Sequence, residues 1–444
     1  MSRLLFSVSE FNSDGVVLNF GGNFNDQNPN YGLFYLNGNN RASNANNNVG
    51  ARQLVFHCAD FRGALAHNKP SGHGPVQTHW SVGTAMRLTR NEMMSLVKRS
   101  DNLFPILISD EIISAAIREV NKTHRYGYRH RPRKTVAWIE ETMPERVQEL
   151  RQIVMDGFVQ QPGRRSMRYD QGARKWRNIW EPKLWPDQYV HHMLIQVLKP
   201  LFLRQMDPWC CGSVPGRGTI KGVRGVQKWM KNDIPGTRWC AELDVHHYYD
   251  SLTKEVVMGV MRRRIKDAKV LGLIEATLAE GVPIGSYCSQ WYANAVLQDC
   301  DRAIRAAGAT HYVRYVDNFT IFARRKKDIR RCVHAAEAEL AKLGLCLKGN
   351  WQYFQTRYRM PNALGYRYGH GYTLVRKGNL LRFKRQVTRM RKRIASGKPV
   401  PRTMAAGILS RAGQLCHCNG YRIRRRWCPP REEAFLKAVV SGRL

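Results

Sequence analysis

Two aspartates stand where packing gives them no reason to be. Asp244, in AELDVHHYYDSL, and Asp317, in RYVDNF, each close an apolar run that reads as a β-strand. Carboxylates at strand ends over a sheet can converge on a hard cation such as Mg²⁺, which takes oxygen ligands, and two such ions can clamp a displacement at phosphorus. A single Asp at a strand end is as readily a turn or cap residue, so the pair carries the reading. Asn318 follows Asp317, and its amide can accept one bond from a metal or its water but supplies no charge. His246 and His247 adjoin Asp244, but alternating strand geometry predicts that they point to opposite faces. His191 and His192 follow the apolar period of their segment and read as buried, satisfied histidines rather than catalytic ones. Cys416, His417, Cys418 and Cys428 contain no C-x-x-C pair and fit no common zinc pattern.

Such residues need a sheet beneath them. Residues 237–248 read as a strand entering the core and 250–266 as a helix, and 310–323 (THYVRYVDNFTIFA) read as two strands hinged at Asp317 and Asn318. Upstream the pattern is amphipathic helix, over 109–123, over 144–156, and in PDQYVHHMLIQVLKPLF, where Val190, Leu194, Val197 and Leu201 recur at helical spacing. An α-rich cap on an α+β sheet domain is the predicted architecture. After Arg382 the chain turns helical again, with Phe383, Val387, Met390 and Ile394 on one face and Arg and Lys on the other. Arg382, Lys384 and Arg385 open that cationic face, which suits contacts to a phosphate backbone without reading its sequence.

Charge narrows the partner. The 444 residues hold 72 Lys plus Arg against 34 Asp plus Glu, a net of +38, while 43% hydrophobic content excludes wholesale disorder. The first 96 residues carry seven basic and five acidic residues, so nearly all of the excess lies downstream, and the last 74 hold 19 basic and two acidic ones. A polyanion must sit against such a density, nucleic acid ahead of an anionic membrane surface. No apolar run approaches the ~18 residues of a membrane span, and the opening MSRLLFSVSE is too short and too soon acidic for an export signal. A cytoplasmic protein with its 11 cysteines reduced is the expectation.

Several segments together resemble a reverse transcriptase over most of residues 97–430. LDVHHYYDSL resembles the first palm motif, which implies Asp244 as a metal ligand, the Val245 carbonyl beside it, and Tyr249 as the aromatic gate against ribonucleotides; a core aromatic is the other reading of Tyr249. YVDN resembles the Tyr-x-Asp-Asp hairpin, with Asp317 as second ligand and Asn318 where the family usually has another Asp. GVPIGSYCSQWYAN resembles the motif that opens the helix under the template and incoming nucleotide, with Gly281, Gly285, Ser289 and Gln290 at the family's spacing. Its Ile284-Gly285 to Ser289-Gln290 pattern, with RNIWEPKLWPDQYVHHMLIQVLKPLF, GSVPGRGTIKGVRGVQKWM and LGLCLKGNWQYF, is similar to polymerases of diversity-generating retroelements. That resemblance implies error-prone copying of template adenines, two Mg²⁺ ions (with Mn²⁺ as an alternative), dNTPs, a template RNA with a cDNA or primer strand, an accessory variability protein, and a bacterial or phage source. Arg217, Lys221 and Arg224 would contact template backbone or triphosphate from a Gly-rich finger segment, and Lys348 would lie near the pyrophosphate or be a solvated lysine.

The expected organisation is a right-hand polymerase: fingers over 97–236, palm over 237–372, and a basic helical thumb over 373–444, with no maturase or endonuclease region following. Before it, 13 of the first 50 residues are Asn. Residues 1–57 read either as read-through of an adenine-rich template repeat or as a small β module with strand-like runs at 16–18 and 33–36, and 58–96 as a linker. Two rival functions remain: an intron- or retron-type polymerase of ordinary fidelity, and a non-catalytic RNA-binding homologue suggested by Asn318.

Overall fold

The computed structural model describes residues 101–126, 133–170 and 175–442, and before them the backbone of 17–21, 35–40 and 52–54. Those three early strands, β1 (Val17–Gly21), β2 (Tyr35–Asn40) and β3 (Arg52–Leu54), pair antiparallel in the order β2-β1-β3. The expected runs at 16–18 and 33–36 overlap β1 and β2. The rest of the Asn-rich segment and the whole 58–96 linker lie outside the described residues.

Helices Asp110–His124, Met143–Met155 and Tyr189–Gln205 form the predicted cap. Ser109 starts the first of them, its hydroxyl accepting from the Ile112 amide at 3.4 Å, with Asp110 and Glu111 facing the positive end of the helix dipole. The cap is α-rich, as expected, and carries two strands as well. A hairpin, β4 (Arg164–Asp170) and β5 (Lys175–Glu181), projects from it. RRSMRYD and KWRNIWE carry little apolar alternation, because neither hairpin face is widely covered; only Trp180, 2% exposed, is buried among its residues.

The central sheet has the order β7-β8-β6-β9, all antiparallel, from β6 (Trp239–Asp244), β7 (His311–Tyr315), β8 (Asn318–Ala323) and β9 (Gln352–Gln355). Its pleat divides two cores. Ala241, Leu243, Phe319 and Ile321 face the helices Tyr287–Val296, Gln298–Ala306 and Lys326–Ala341, whereas Cys240, Val313 and Phe322 face the other side. There the helix Gly218–Asn232 and the small sheet β10 (Asn362–Ala363), β11 (Tyr366–Gly369) and β12 (Tyr372–Val375) cover them through Val226, Trp229, Tyr366 and Tyr368. With both faces covered, β8 is buried from Phe319 to Ala323, with Thr320 the one polar residue in that stretch.

Two boundaries differ from expectation. β6 stops at Asp244, and the predicted helix over 250–266 splits into a turn of helix at Tyr248–Ser251 and a helix at Lys254–Arg262 capped by Thr253. The left-handed His247, φ +42°, breaks the continuity and leaves the His246 and His247 rings in edge contact at 4.3 Å, not on opposite faces of a strand.

Helices Lys377–Ala395, Arg402–Gln414 and Pro430–Ser441 pack around Phe383, Val387, Met390, Ile408 and Leu436. Ile394, expected on the apolar stripe, is 46% exposed, since the first helix outruns its partners there.

Beneath the sheet end lies a buried ion pair. Arg314 and Asp301 are 0% and 1% exposed and joined through both carboxylate oxygens at 2.7 Å. Removing one partner strands the other charge in the interior. Asp301→Ala should therefore cost about 3–5 kcal/mol of unfolding free energy, read as a lowered urea midpoint of the palm transition.

Candidate active site

The β6–β8 register sets Asp244 directly opposite Asn318, and the Val245 amide donates to the Asp317 carbonyl at 3.3 Å. Strand pairing alone thus brings together two aspartates 73 positions apart in sequence. Burial, and after it the charge of Asp244, pushes the Asp317 carboxyl above the usual carboxylate range. The Asn318 amide donates to Asp317 Oδ1 at 3.0 Å. Asn318 therefore orients the neighbouring carboxylate in addition to lying opposite Asp244.

Asp244 has two unlike oxygens. Lys348 Nζ donates to Oδ2 at 2.5 Å and the Lys348 amide to the Asp244 carbonyl at 2.8 Å, whereas Oδ1 is buried without a hydrogen-bond partner. A buried, orphaned anionic oxygen is costly unless something positive meets it. The donor set fits Mg²⁺: oxygen only, two carboxylates, and the nearby Val245 backbone. Among the described residues no three His, Cys, Asp or Glu side chains gather as a closed metal cage.

The turn between β7 and β8 is strained. Val316 has φ +58°, a left-handed conformation that costs a β-branched residue about 1–3 kcal/mol. Arg314 Nη1 donates to its carbonyl at 2.8 Å. Gly212 packs against the turn so closely that a Cβ there would stand 2.5 Å from the Val316 nitrogen. Neither Gly212 nor the group of Arg314, Asp301 and Asn294 was singled out from the sequence. A cation in the middle of the apolar run HYVRY was the available signal.

The helical turn at Tyr248–Ser251 sends consecutive tyrosines apart. Tyr248 is buried, its hydroxyl donating to the Ala293 carbonyl at 2.5 Å, while Tyr249 is half-buried within electrostatic reach of Asp317, Tyr315 and Arg177. Burial first, then the Asp317 charge, holds the Tyr249 hydroxyl protonated well above the ordinary phenol range. Ile284 and Gly285 meet the hairpin: the Trp180 amide donates to the Ile284 carbonyl at 2.9 Å, and Gly285, at φ +121°, lies under the Trp180 carbonyl. On the helix that follows, Ser289 is buried and Gln290 exposed.

The remaining candidates sit elsewhere. Arg217 and Lys221 donate to the Asp207 and Pro208 carbonyls at 2.6 Å each, and Lys221 lies over the Trp209 ring. Arg224 lines a small cleft with Gln227, His417 and Asn419. The Gly-rich segment forms the amphipathic helix Gly218–Asn232, packed on the central sheet. Lys384 lies over the Trp427 ring, Arg385 is exposed, and Arg382 is half-buried on the same helix. His191 is buried with Nε2 on Gln160 at 2.7 Å, and burial pushes it down to about 3, so it is a neutral core residue. Cys428 lies in the C-terminal core, where burial pushes its thiol up to about 11, and Cys416 is exposed.

A family model described as reverse transcriptase (RNA-dependent DNA polymerase) matches residues 170–366, which take in β5 of the hairpin, both aspartates and the central sheet. Over those residues the chain is similar to reverse transcriptases. Over 98 residues the chain is 32% identical to nuclear intron maturase 1 of Arabidopsis thaliana mitochondria, covering 22% of this chain and 13% of that protein. It is 26% identical over 171 residues to protein YkfC of Escherichia coli K12, covering 35% and 44%. It is 21% identical over 236 residues to the group II intron-encoded protein LtrA of Lactococcus lactis, covering 49% and 37%. The similarity is thus to reverse transcriptases of the intron type, and the chain spans less than half the length of each of these curated relatives.

The hairpin meets the rest of the molecule at Ile284 and Gly285. A Cβ on Gly285 would stand 2.1 Å from the Trp180 carbonyl oxygen. Gly285→Ala should displace β5 and break the Trp180–Ile284 hydrogen bond, seen as loss of hydrogen-exchange protection at the Trp180 amide.

Proposed function

We propose that the protein is an RNA-directed DNA polymerase that copies a retroelement template RNA into cDNA. The observation that carries this reading is the pair Asp244 and Asp317, joined at one sheet end inside a reverse-transcriptase domain, with Asp244 Oδ1 buried and unpartnered.

Asp244, Asp317 and the Val245 carbonyl would hold two Mg²⁺ or Mn²⁺ ions. The bound ions lower the cost of ionising the primer 3′ hydroxyl and of the charge that develops on the departing pyrophosphate. The new bond joins the 3′ oxygen to the α-phosphorus, and the α–β phosphoanhydride breaks. Asn318 steadies Asp317 through the amide hydrogen bond, and in place of a third carboxylate it lowers the negative charge available, which predicts weaker metal affinity or slower turnover. Lys348 balances Asp244 and lies where a triphosphate would approach. Tyr249 presents a ring edge under the sugar and clashes with a 2′ hydroxyl. Gly285 and Gln290 line the approach of template and nucleotide. Arg217, Lys221, Arg224, Arg382, Lys384 and Arg385 supply cationic surface to the nucleic-acid backbone.

Within this activity we assign the diversity-generating subtype, acting with an accessory variability protein in a bacterial or phage-infected cytoplasm. Ile284 supports it: an aliphatic side chain beside the nascent pair offers no polar contact, so discrimination rests on shape and stacking. The division into fingers (97–236), palm (237–372) and thumb (373–444), and the origin of 1–57 as read-through from a template repeat, belong to the same proposal. A second reading, an intron-type polymerase of ordinary fidelity, is favoured by the names of the maturase and group II intron-encoded relatives.

Sequencing the cDNA made from RNA template, Mg²⁺ and dNTPs separates the two. Misincorporation concentrated opposite template adenine is expected, and even fidelity would select the intron-type reading. Ile284→Gln should flatten that adenine bias, and an unchanged error spectrum would remove Ile284 from the account. In Asp317→Ala, synthesis should fall at least about 10³-fold while RNA affinity is retained; a gel-resolved primer-extension assay beside filter binding reads both.

A further inference from the structure

We propose that Arg314 is a positioning residue: its buried guanidinium holds Val316 in the left-handed conformation and so fixes where Asp317 presents its carboxylate. The inference deepens the polymerase reading and rests on it.

Every N–H of Arg314 is engaged. Nε and Nη2 bind the two Asp301 oxygens at 2.7 Å each, Nη1 donates to Asn294 Oδ1 at 3.0 Å and to the Val316 carbonyl at 2.8 Å, and Nη2 also reaches the Asn294 carbonyl at 3.2 Å. The fork is therefore locked by Asp301 and Asn294, leaving one donor aimed at the turn. Asn294 in turn donates to the Gly212 carbonyl at 2.9 Å, fixing the bare backbone that presses on Val316 from the opposite side. Val316 is thus clasped between a hydrogen bond on its carbonyl and a close wall at its nitrogen. A β-branched residue at φ +58° left to itself relaxes toward negative φ, and a peptide rotation at Val316 would turn the next residue, Asp317, away from Asp244. A lysine cannot replace the fork, because it lacks the planar, divergent donors that reach Asp301, Asn294 and Val316 at once.

The test is a double-mutant cycle of Arg314→Lys with Val316→Gly, since glycine takes positive φ without cost. In the natural background Arg314→Lys should lower kcat about 10-fold or more, with KM for dNTP unchanged. In the Val316→Gly background the same substitution should cost no more than about 2-fold, although the thermal unfolding midpoint falls equally in both. Equal kcat losses in the two backgrounds would overturn the proposal and leave Arg314 a stability residue. Should Arg314→Lys fail to fold, Asn294→Ala, which leaves the ion pair with Asp301 intact, replaces it in the cycle with the same expected and contrary outcomes. Mn²⁺ affinity in the presence of RNA template and DNA primer, followed by electron paramagnetic resonance, supplies the readout independent of turnover. If the unaltered chain made no cDNA the polymerase reading would fail, and the turn would be judged by Mn²⁺ alone: about 10-fold weaker binding in Arg314→Lys, absent in the glycine background, sustains it, and equal weakening in both sinks it.

Discussion

A guanidinium with no exposed surface, that of Arg314, is bonded to the turn that leads into Asp317, and its burial constrains the elements around it. Desolvating Arg314 and Asp301 is expensive, and the pair persists because the carboxylate and the five guanidinium N–H groups all find partners. Those partners come from different places: Asp301 from the helix Gln298–Ala306, Asn294 from the helix Tyr287–Val296, and Val316 from the turn. The Arg314 backbone adds two more bonds, to the Trp209 carbonyl and the Cys211 amide, which draw the 209–212 loop alongside β7. One residue therefore ties together two helices, a loop and a strained turn. An apolar residue of similar volume could fill the space, but it could not specify the turn's conformation.

Around this point the molecule keeps opposite charges in separate roles. Most of its Lys and Arg lie on surfaces, where many are paired to carboxylates or stacked on rings, as with Arg391 on Glu432 and Lys384 over Trp427. Asp244 and Asp317 are the reverse case, acidic groups drawn into a partly dry place in a chain of net charge +38. A positive chain attracts a polyanion without chemistry of its own. Two close carboxylates would repel that polyanion unless cations intervene, and this physical tension is what makes the pair informative about mechanism.

The hairpin β4–β5 shows how a segment without a core of its own is placed. It is tied at its base by Trp180, whose ring packs on Gly163 and whose backbone meets Ile284 and Gly285. Arg177, on the same strand, pairs with Asp170 at 3.1 Å and lies within electrostatic reach of Tyr249. Ile284, Gly285 and the hairpin are thus joined through a few backbone atoms, which is why a glycine stands at 285.

Much of this was readable from residue types and spacing. The strands that lead to Asp244 and Asp317, the helices at Asp110–His124 and Tyr189–Gln205, the neutral buried His191 and the basic C-terminal helix follow from period, capping and charge, which are local properties of the chain. The hairpin escaped notice because a two-stranded element with open faces has no apolar period to reveal it. The break at His247 escaped because left-handed backbone at a histidine carries no composition signal. Lys348 on Asp244 and the clasp of Arg314, Asn294 and Gly212 on Val316 could be decided only by tertiary structure, since they join residues up to 104 positions apart through hydrogen bonds whose geometry depends on how two cores close on one sheet. The sequence by itself determined which residues could do the chemistry; the packing of those cores decided which carboxylate oxygen is left bare to do it.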